Sequence, residues 1–82
     1  METVSIHERV DVGVVFGRNR ILPKWFVWNT RKYDIKEVTY LWQDTQGEAK
    51  VLHFSVTDGA TCFELSLNQK TLQWQLEKTM VE

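Results

Sequence analysis

The side chains with the strongest intrinsic chemistry in this chain are one thiol, two imidazoles and eleven carboxylates. Cys62 is the single cysteine, and His53 and Glu64 lie near it in the sequence. A thiol, an imidazole and a carboxylate are the nucleophile, the base and the orienting group of a cysteine hydrolase. Whether these three side chains can act together depends on the strands that carry them.

The segments on either side of Asp58-Gly59 alternate apolar and polar residues, as β-strands do. Asp-Gly is typical of a two-residue type I′ hairpin turn, which determines the strand register. In that register His53 lies directly opposite Glu64. Cys62 is the diagonal neighbour of His53, at a distance of about 7–8 Å. The turn predicts the pairs Val56–Thr61, Phe54–Phe63 and Leu52–Leu65.

We nevertheless interpret the face that carries these residues as the half-solvated side of an antiparallel sheet, because its other members are Ser, Thr, Gln and Glu. No glycine-rich oxyanion loop or strained elbow accompanies Cys62. His7, His53 and Cys62 lack the spacing of metal-ligand pairs. The sequence therefore predicts no enzyme, no metal and no cofactor, and no small-molecule substrate is evident.

A second group of residues combines positive charge with an aromatic ring near two predicted turns. Basic groups beside an exposed aromatic side chain bind single-stranded nucleic acid through phosphate contacts and base stacking. The net charge of -1 supplies no general attraction to nucleic acid. A structural explanation is the alternative: basic residues in turns protect sheet edges from pairing, and Trp25 with Val27 covers the other end of the core or forms a dimer contact. The predicted binding residues are Arg18, Arg20, Lys24, Trp25, Arg31 and Lys32.

Alternation with period two dominates from Val4 onward, and no long window has the spacing of an amphipathic helix. This pattern predicts an all-β chain of about six antiparallel strands in meander order, curled into a strongly bent sheet or small barrel. The first predicted strand begins as early as Val4 and ends at Phe16. The other five cover 24–28, 31–43, 49–57, 60–67 and the residues from Leu72 onward.

Parity divides the aromatic residues around the first hairpin into two sets. A two-residue loop at Asn29-Thr30 predicts an inner face of Phe26, Trp28, Tyr33 and Ile35, and an outer face of Trp25 and Val27. The alternation slips before Val38, Tyr40 and Trp42, which predicts a β-bulge near Lys36-Glu37 that brings these three residues back to the core face. In the last hairpin, the pattern predicts Leu67 opposite Leu72.

The length of 82 residues suits one domain, and we expect residues 1–82 to form a single small β domain. One cysteine, no long apolar run and no signal peptide predict a cytoplasmic protein without a membrane partner. The outer strands of a meander are edges, and exposed apolar pairs such as Trp25/Val27 or Leu41/Val51 can seat a partner. The favoured function is therefore interaction with a protein partner or a second copy. Binding of single-stranded nucleic acid is the alternative.

The spacing of aromatic and apolar residues between Pro23 and Lys78 resembles that of a family of small uncharacterised bacterial β-domains. The resemblance rests on Phe26-x-Trp28, Tyr33-x-Ile35, Glu37-Val38, Trp42, Phe63-Glu64-Leu65 and Trp74-Gln75-Leu76-Glu77. Asn29-Thr30 stands where that family has a glycine before arginine, and Phe63 where it has tyrosine. The resemblance implies a bacterial cytoplasmic protein, and it implies no established activity or site residues.

Overall fold

The computed structural model describes residues 2–81 except for the side chain of Val81, and it contains eight strands. The all-β antiparallel class is confirmed, but the number of strands is eight rather than six. The strands are β1 (Glu2–Arg9), β2 (Asp11–Gly17), β3 (Arg20–Trp28), β4 (Arg31–Asp34), β5 (Glu37–Gln46), β6 (Ala49–Thr57), β7 (Thr61–Asn68) and β8 (Gln73–Val81). Within these residues no helix is long and apolar enough to cross a membrane.

The strands form two antiparallel sheets, so the predicted single sheet or small barrel is corrected to a two-sheet structure. The larger sheet has the order β1-β8-β7-β6-β5, and the smaller one has the order β2-β3-β4. Strands β5 to β8 and strands β2 to β4 each form a meander, in which neighbours in the chain are neighbours in the sheet. Strand β1 is the exception, because it joins the larger sheet beside β8. The chain therefore begins in one sheet, builds the second, and returns to the first.

The chain changes sheets at two short corners. Val10 forms the first corner, where its N–H donates to the carbonyl oxygen of Trp74 at 3.2 Å. Ile35 and Lys36 form the second, and the Lys36 N–H donates to the Thr57 carbonyl at 2.8 Å. The predicted strand 4–16 is thus two strands in different sheets, and the predicted strand 31–43 is likewise divided. The phase slip near Lys36-Glu37 is a strand break, not the predicted bulge.

A bulge does occur three residues later, at Thr39. Val38 pairs with Val56 and Tyr40 pairs with Ser55, which leaves Thr39 as the extra residue. The Thr39 hydroxyl donates to the carbonyl oxygen of Ser55 at 3.1 Å. Because an extra residue reverses the side-chain parity, Tyr40 and the following Trp42 point away from the core. The prediction that they lie on the core face is wrong.

The core lies between the two sheets, with Phe26 at its centre. This side chain is fully buried, stacks on Tyr33 with a centroid distance of 5.0 Å, and contacts the Phe63 ring edge-on at 5.0 Å. The predicted inner set is confirmed, because Trp28, Tyr33 and Ile35 pack against the same cluster. The other buried members of this cluster are Val10, Phe54, Val56, Phe63, Leu65, Leu67 and Leu76.

The β3–β4 hairpin has the predicted register, with Phe26 opposite Tyr33 and Trp28 opposite Arg31. Asn29 and Thr30 both have positive φ, at 52° and 62°. Positive φ at both central residues is the requirement of a type I′ turn, whose twist matches that of the strands. The loop thus adopts the predicted tight geometry without a glycine.

The β6–β7 hairpin has a different register from the predicted one, because its loop contains four residues rather than two. Thr57 pairs with Cys62, so Val56 lies opposite Phe63 and not opposite Thr61. The Asp58 carboxylate stabilises the wider loop by accepting hydrogen bonds from the N–H groups of Ala60 at 2.9 Å and Thr61 at 2.8 Å. A shift of two residues preserves parity, so the core face remains as predicted.

The β7–β8 hairpin is displaced in the same way. Leu67 pairs with Trp74 rather than with Leu72. Leu72 lies in the turn with a φ of 61° and is 72% exposed. The strands keep their predicted faces as far as Leu76, because this shift is also two residues. Beyond that point Glu77 is an extra residue, since Leu65 pairs with Leu76 but Glu64 pairs with Lys78.

Candidate functional site

Strand β5 is an edge of the five-stranded sheet and exposes two large apolar side chains. Its only partner among residues 2–81 is β6. From Tyr40 to Gln46 it runs for seven residues in regular register with Ser55 to Ala49. Tyr40 is 67% exposed and Leu41 is 55% exposed, on opposite faces of the strand. One side of this backbone is therefore open for pairing with another strand.

The three other edge strands carry features that oppose edge-to-edge pairing. β1 changes register between Ser5 and Glu8, with His7 at a φ of 54°. β2 changes register between Gly13 and Val14. β4 has only four residues, of which three are charged. Bulges, short length and charge are the usual means by which sheet edges avoid unwanted pairing.

The regular part of β5 lacks these protective features. Residues 40–46 contain no Lys, Arg or Pro, and Asp44 is their only charged side chain. The Tyr40 ring contacts the Trp42 ring edge-on at 5.8 Å, and Trp42 stacks on His53 at 5.1 Å with an interplanar angle of 6°. These contacts hold the aromatic side chains of the edge in position. They also place a half-buried indole next to the open side of the strand.

The six predicted binding residues do not form one surface. Arg20 begins β3, and Arg18 lies in the turn before it, while Arg31 and Lys32 follow the other end of that strand. The nine residues of β3 cover roughly 26 Å at about 3.3 Å per residue. The structure therefore separates Arg18 and Arg20 from Arg31 and Lys32. Lys24 is exposed in the middle of the strand, beside Trp25 in sequence.

Arg31 and Lys32 also point to opposite faces of the three-stranded sheet. The Arg31 guanidinium lies over the Tyr33 ring at 5.4 Å, on the core side. The Lys32 ammonium lies over the Trp25 ring at 5.4 Å and 3.6 Å from an Asp34 carboxylate oxygen. Each cation therefore has an aromatic partner within the protein.

Trp25 is half-buried on the outer face of the three-stranded sheet, where it packs against Gly13. Gly13 is directly opposite it in β2, and a Cβ atom at Gly13 would lie 2.0 Å from the Trp25 Cε2 atom. The indole thus lies directly against the β2 backbone at a position that only glycine permits. Together with Lys32, this contact uses much of the ring surface that a nucleic acid base would need.

The structure does not assemble the possible catalytic group of Cys62, His53 and Glu64. In the observed register His53 pairs with Ser66, while Cys62 pairs with Thr57 next to the β6–β7 loop. The His53 Nδ1 atom lies 3.6 Å from a Glu64 carboxylate oxygen, which is too long for a hydrogen bond. His53 is only 7% exposed, so this part of the face is buried and not half-solvated as predicted.

No family model matches the chain, and neither a curated protein nor a solved structure matches it significantly. The resemblance to small bacterial β-domains stays a prediction. Function must therefore be inferred from the geometry of the molecule.

The sequence suggested two apolar pairs as docking surfaces, and only one of their four side chains is exposed. Leu41 is exposed, but Val51 is 3% exposed and lies on the opposite face of the sheet. Trp25 and Val27 are both half-buried. Sequence reasoning did not find the exposure of Tyr40, because the pattern alone does not show where the bulge lies.

Proposed function

We propose that the protein is a self-associating module in which β5 pairs antiparallel with β5 of a second copy. The observation that carries the proposal is the seven-residue regular edge from Tyr40 to Gln46, with two exposed apolar side chains and one charge. Pairing would satisfy its outer backbone groups and remove apolar surface from water. The result is one continuous sheet of ten strands.

A two-fold axis at Gln43 makes the regular edge self-complementary, because Tyr40 to Gln46 then pair with the same seven residues of the other copy. In this register Tyr40 lies opposite Gln46, Leu41 opposite Thr45 and Trp42 opposite Asp44. No two carboxylates face each other. The same residues meet on both copies, as a two-fold interface requires.

Sedimentation velocity over a range of protein concentrations tests this proposal. We expect the wild-type chain to sediment as a dimer at high concentration. Leu41→Lys should remain monomeric there, because a lysine ammonium group within each paired edge opposes strand pairing. Val4→Lys is the matched control, since Val4 is 48% exposed on the edge strand β1. This control should dimerise like the wild type.

Self-association through β5 is overturned by a wild-type chain that stays monomeric at every concentration, or by a dimer that Leu41→Lys leaves intact. Circular dichroism of both variants shows whether they are folded. Capture of a strand from a different protein at β5, without a dimer, would also contradict the assignment of a second copy as partner.

Binding of single-stranded nucleic acid stays the alternative prediction from the sequence. The geometry supports it less, because the basic residues lie at both ends of β3 and Lys32 already contacts Trp25. A salt-dependent affinity that falls in an Arg31→Ala/Lys32→Ala variant would support this alternative.

A further inference from the structure

The face of the five-stranded sheet that points away from the core is concave and polar. One row of directly paired residues crosses all five strands: Trp42, His53, Ser66, Gln75 and Arg9. A cavity of about 250 Å³ lies on this face, and residues from every strand of the sheet line it. Gln46 and Arg9 belong to opposite edge strands and still line the same cavity, so the sheet curls around it.

The floor of this cleft is buried and contains an ordered carboxylate. Ser66 is 6% exposed, and the Glu77 side chain is 14% exposed. The Glu77 Oε1 atom accepts a hydrogen bond from the Gln75 Nε2 atom at 2.6 Å and lies 3.1 Å from the His7 Nδ1 atom. Both contacts use the same oxygen. The other oxygen, Oε2, is left for a hydrogen-bond donor in the cleft.

The cleft combines balanced charge with many neutral polar groups. Arg9 and Glu77 carry opposite charges, and four carboxamides complete the polar lining: Gln46, Asn68, Gln73 and Gln75. Each carboxamide both donates and accepts hydrogen bonds, and a hydroxyl group does the same. This lining therefore suits a neutral ligand that is rich in hydroxyl groups.

A buried histidine on the same face adds an independent observation. Neither ring nitrogen of His53 has a hydrogen-bond partner among the described residues. Buried polar atoms in proteins are almost always paired, so an unpaired one indicates a missing partner such as water or a ligand. His53 does not itself line the cavity, but it pairs with Ser66, which does, and its nearest charged group is a Glu64 carboxylate oxygen 3.6 Å from Nδ1. The polar face beside the cleft therefore has hydrogen-bonding groups that the described residues leave unused.

We propose that this cleft binds a single residue of a neutral saccharide. Its volume lies just below the about 300–1,000 Å³ of sites for drug-sized ligands, which suits one sugar ring. Glu77 Oε2 and the glutamine carbonyl oxygens accept from sugar hydroxyls, and Arg9 and the carboxamide N–H groups donate to them. The Asn68 Oδ1 atom already accepts from the N–H groups of Lys70 and Thr71, so Asn68 acts as a donor. A zwitterionic amino acid matches the charges of Arg9 and Glu77 but has too few hydroxyl groups for the four carboxamides, and the test includes it as the competing ligand.

Titration of the ¹⁵N-labelled protein, followed by ¹H–¹⁵N correlation spectra, tests the proposal. The probes are glucose, galactose, mannose and N-acetylglucosamine at millimolar concentrations, with glycine and sodium acetate as the zwitterionic and anionic competitors. We expect at least one sugar to shift the amide signals of Ser66 and Gln75 in a saturable way. Glycine and acetate should leave these signals in place.

Matched glutamine variants separate the cleft from the rest of the surface. Gln73→Leu should lower the sugar affinity about tenfold, as expected for the loss of one good hydrogen bond. Gln43→Leu should leave the affinity unchanged, because Gln43 is an exposed strand residue outside the cleft. Both positions are exposed, so both variants should fold.

Three results would overturn the proposal: no sugar of the panel shifts the signals, glycine or acetate shifts them equally, or Gln73→Leu retains full affinity. The proposal does not depend on dimerisation through β5. A monomeric Leu41→Lys variant should therefore still bind the sugar, which keeps failure of one proposal distinguishable from failure of the other.

Discussion

The two faces of the five-stranded sheet are both buried over β6 and β7, but by different means. On the core face, Phe54 and Leu65 are covered by the second sheet and its Phe26. On the polar face, Trp42 stacks on His53, and the curvature of the sheet encloses the residues around Ser66. A polar residue in an alternating strand is therefore not necessarily exposed to solvent.

The two faces also differ in the free energy that their burial contributes to folding. The core face is apolar, and its burial is favourable at roughly 25 cal/mol per Å² of apolar surface removed from water. The polar face includes His53, whose ring nitrogens make no hydrogen bond within residues 2–81, and this makes its burial costly. We therefore expect the core face to supply most of the stability, and the polar face to retain its residues for binding.

The largest expected effect is the loss of the side chain that covers the core face. Phe26→Ala should destabilise the protein by about 3–5 kcal/mol, because it leaves a cavity against Tyr33 and Phe63. Urea unfolding monitored by circular dichroism measures this change. Phe16→Ala is the control, with an expected change within about 0.5 kcal/mol, since Phe16 is 77% exposed. Equal losses in the two variants would contradict the placement of the core.

The next effect is the loss of the side chain that covers the polar face. Trp42→Ala should cost about 2 kcal/mol, because it removes a half-buried indole and its stack on His53. In the monomer, Tyr40→Ala should cost less than about 1 kcal/mol, since Tyr40 is 67% exposed. If the two variants were equally stable in urea, Trp42 would not be the cover of this face.

The β6–β7 loop sets the register of both faces, and its stability should depend on pH through Asp58. Burial of the carboxyl raises its pKa, but hydrogen bonds from the backbone N–H groups of Thr61, Ala60 and Asp58, with the charge of Lys36, outweigh burial and lower the pKa overall. A carboxyl with a lowered folded-state pKa stabilises the fold above its unfolded pKa of about 3.9. That contribution is lost as the pH falls through the folded-state value.

Asp58→Ala should therefore cost about 1–2 kcal/mol at neutral pH, through the hydrogen bonds of the loop. The cost should shrink in urea titrations at about pH 3, below the ordinary pKa of the carboxyl. Asp34→Ala, on an exposed aspartate of β4, serves as the control for general charge effects. A cost that is the same at both pH values would contradict the role of the ionised Asp58.

The smallest expected effect is at the carboxylate of the cleft. Glu77→Gln keeps an oxygen that can accept from Gln75, and His7 is an exposed partner. The free energy of unfolding should therefore change by less than about 1 kcal/mol, as is usual for ion pairs with one exposed member. A loss above about 2 kcal/mol in urea unfolding would show that Glu77 is needed for folding, and not mainly for binding.

Much of the local structure follows from the sequence, because side-chain parity in a strand is a local property. Alternation determined the all-β class and the inner set of Phe26, Trp28, Tyr33 and Ile35, which the structure confirms. It also determined the β3–β4 register, since Asn29-Thr30 closes the tightest loop that those strands allow. Next to their loops, the two hairpins with a displaced register also kept their faces, because each displacement there is two residues.

Only the tertiary structure decided which strands share a sheet, where the parity reverses and how strongly the sheet curls. A phase slip in the sequence is compatible with a bulge or with a strand break, and hydrogen bonds to Lys24 and Thr57, distant in sequence, select the break at Ile35-Lys36. The bulge at Thr39 then exposes Tyr40 and turns Trp42 towards His53. Curvature arises from all five strands together. For this reason no single stretch of sequence shows that residues as distant as Arg9, Gln46 and Glu77 line one cleft.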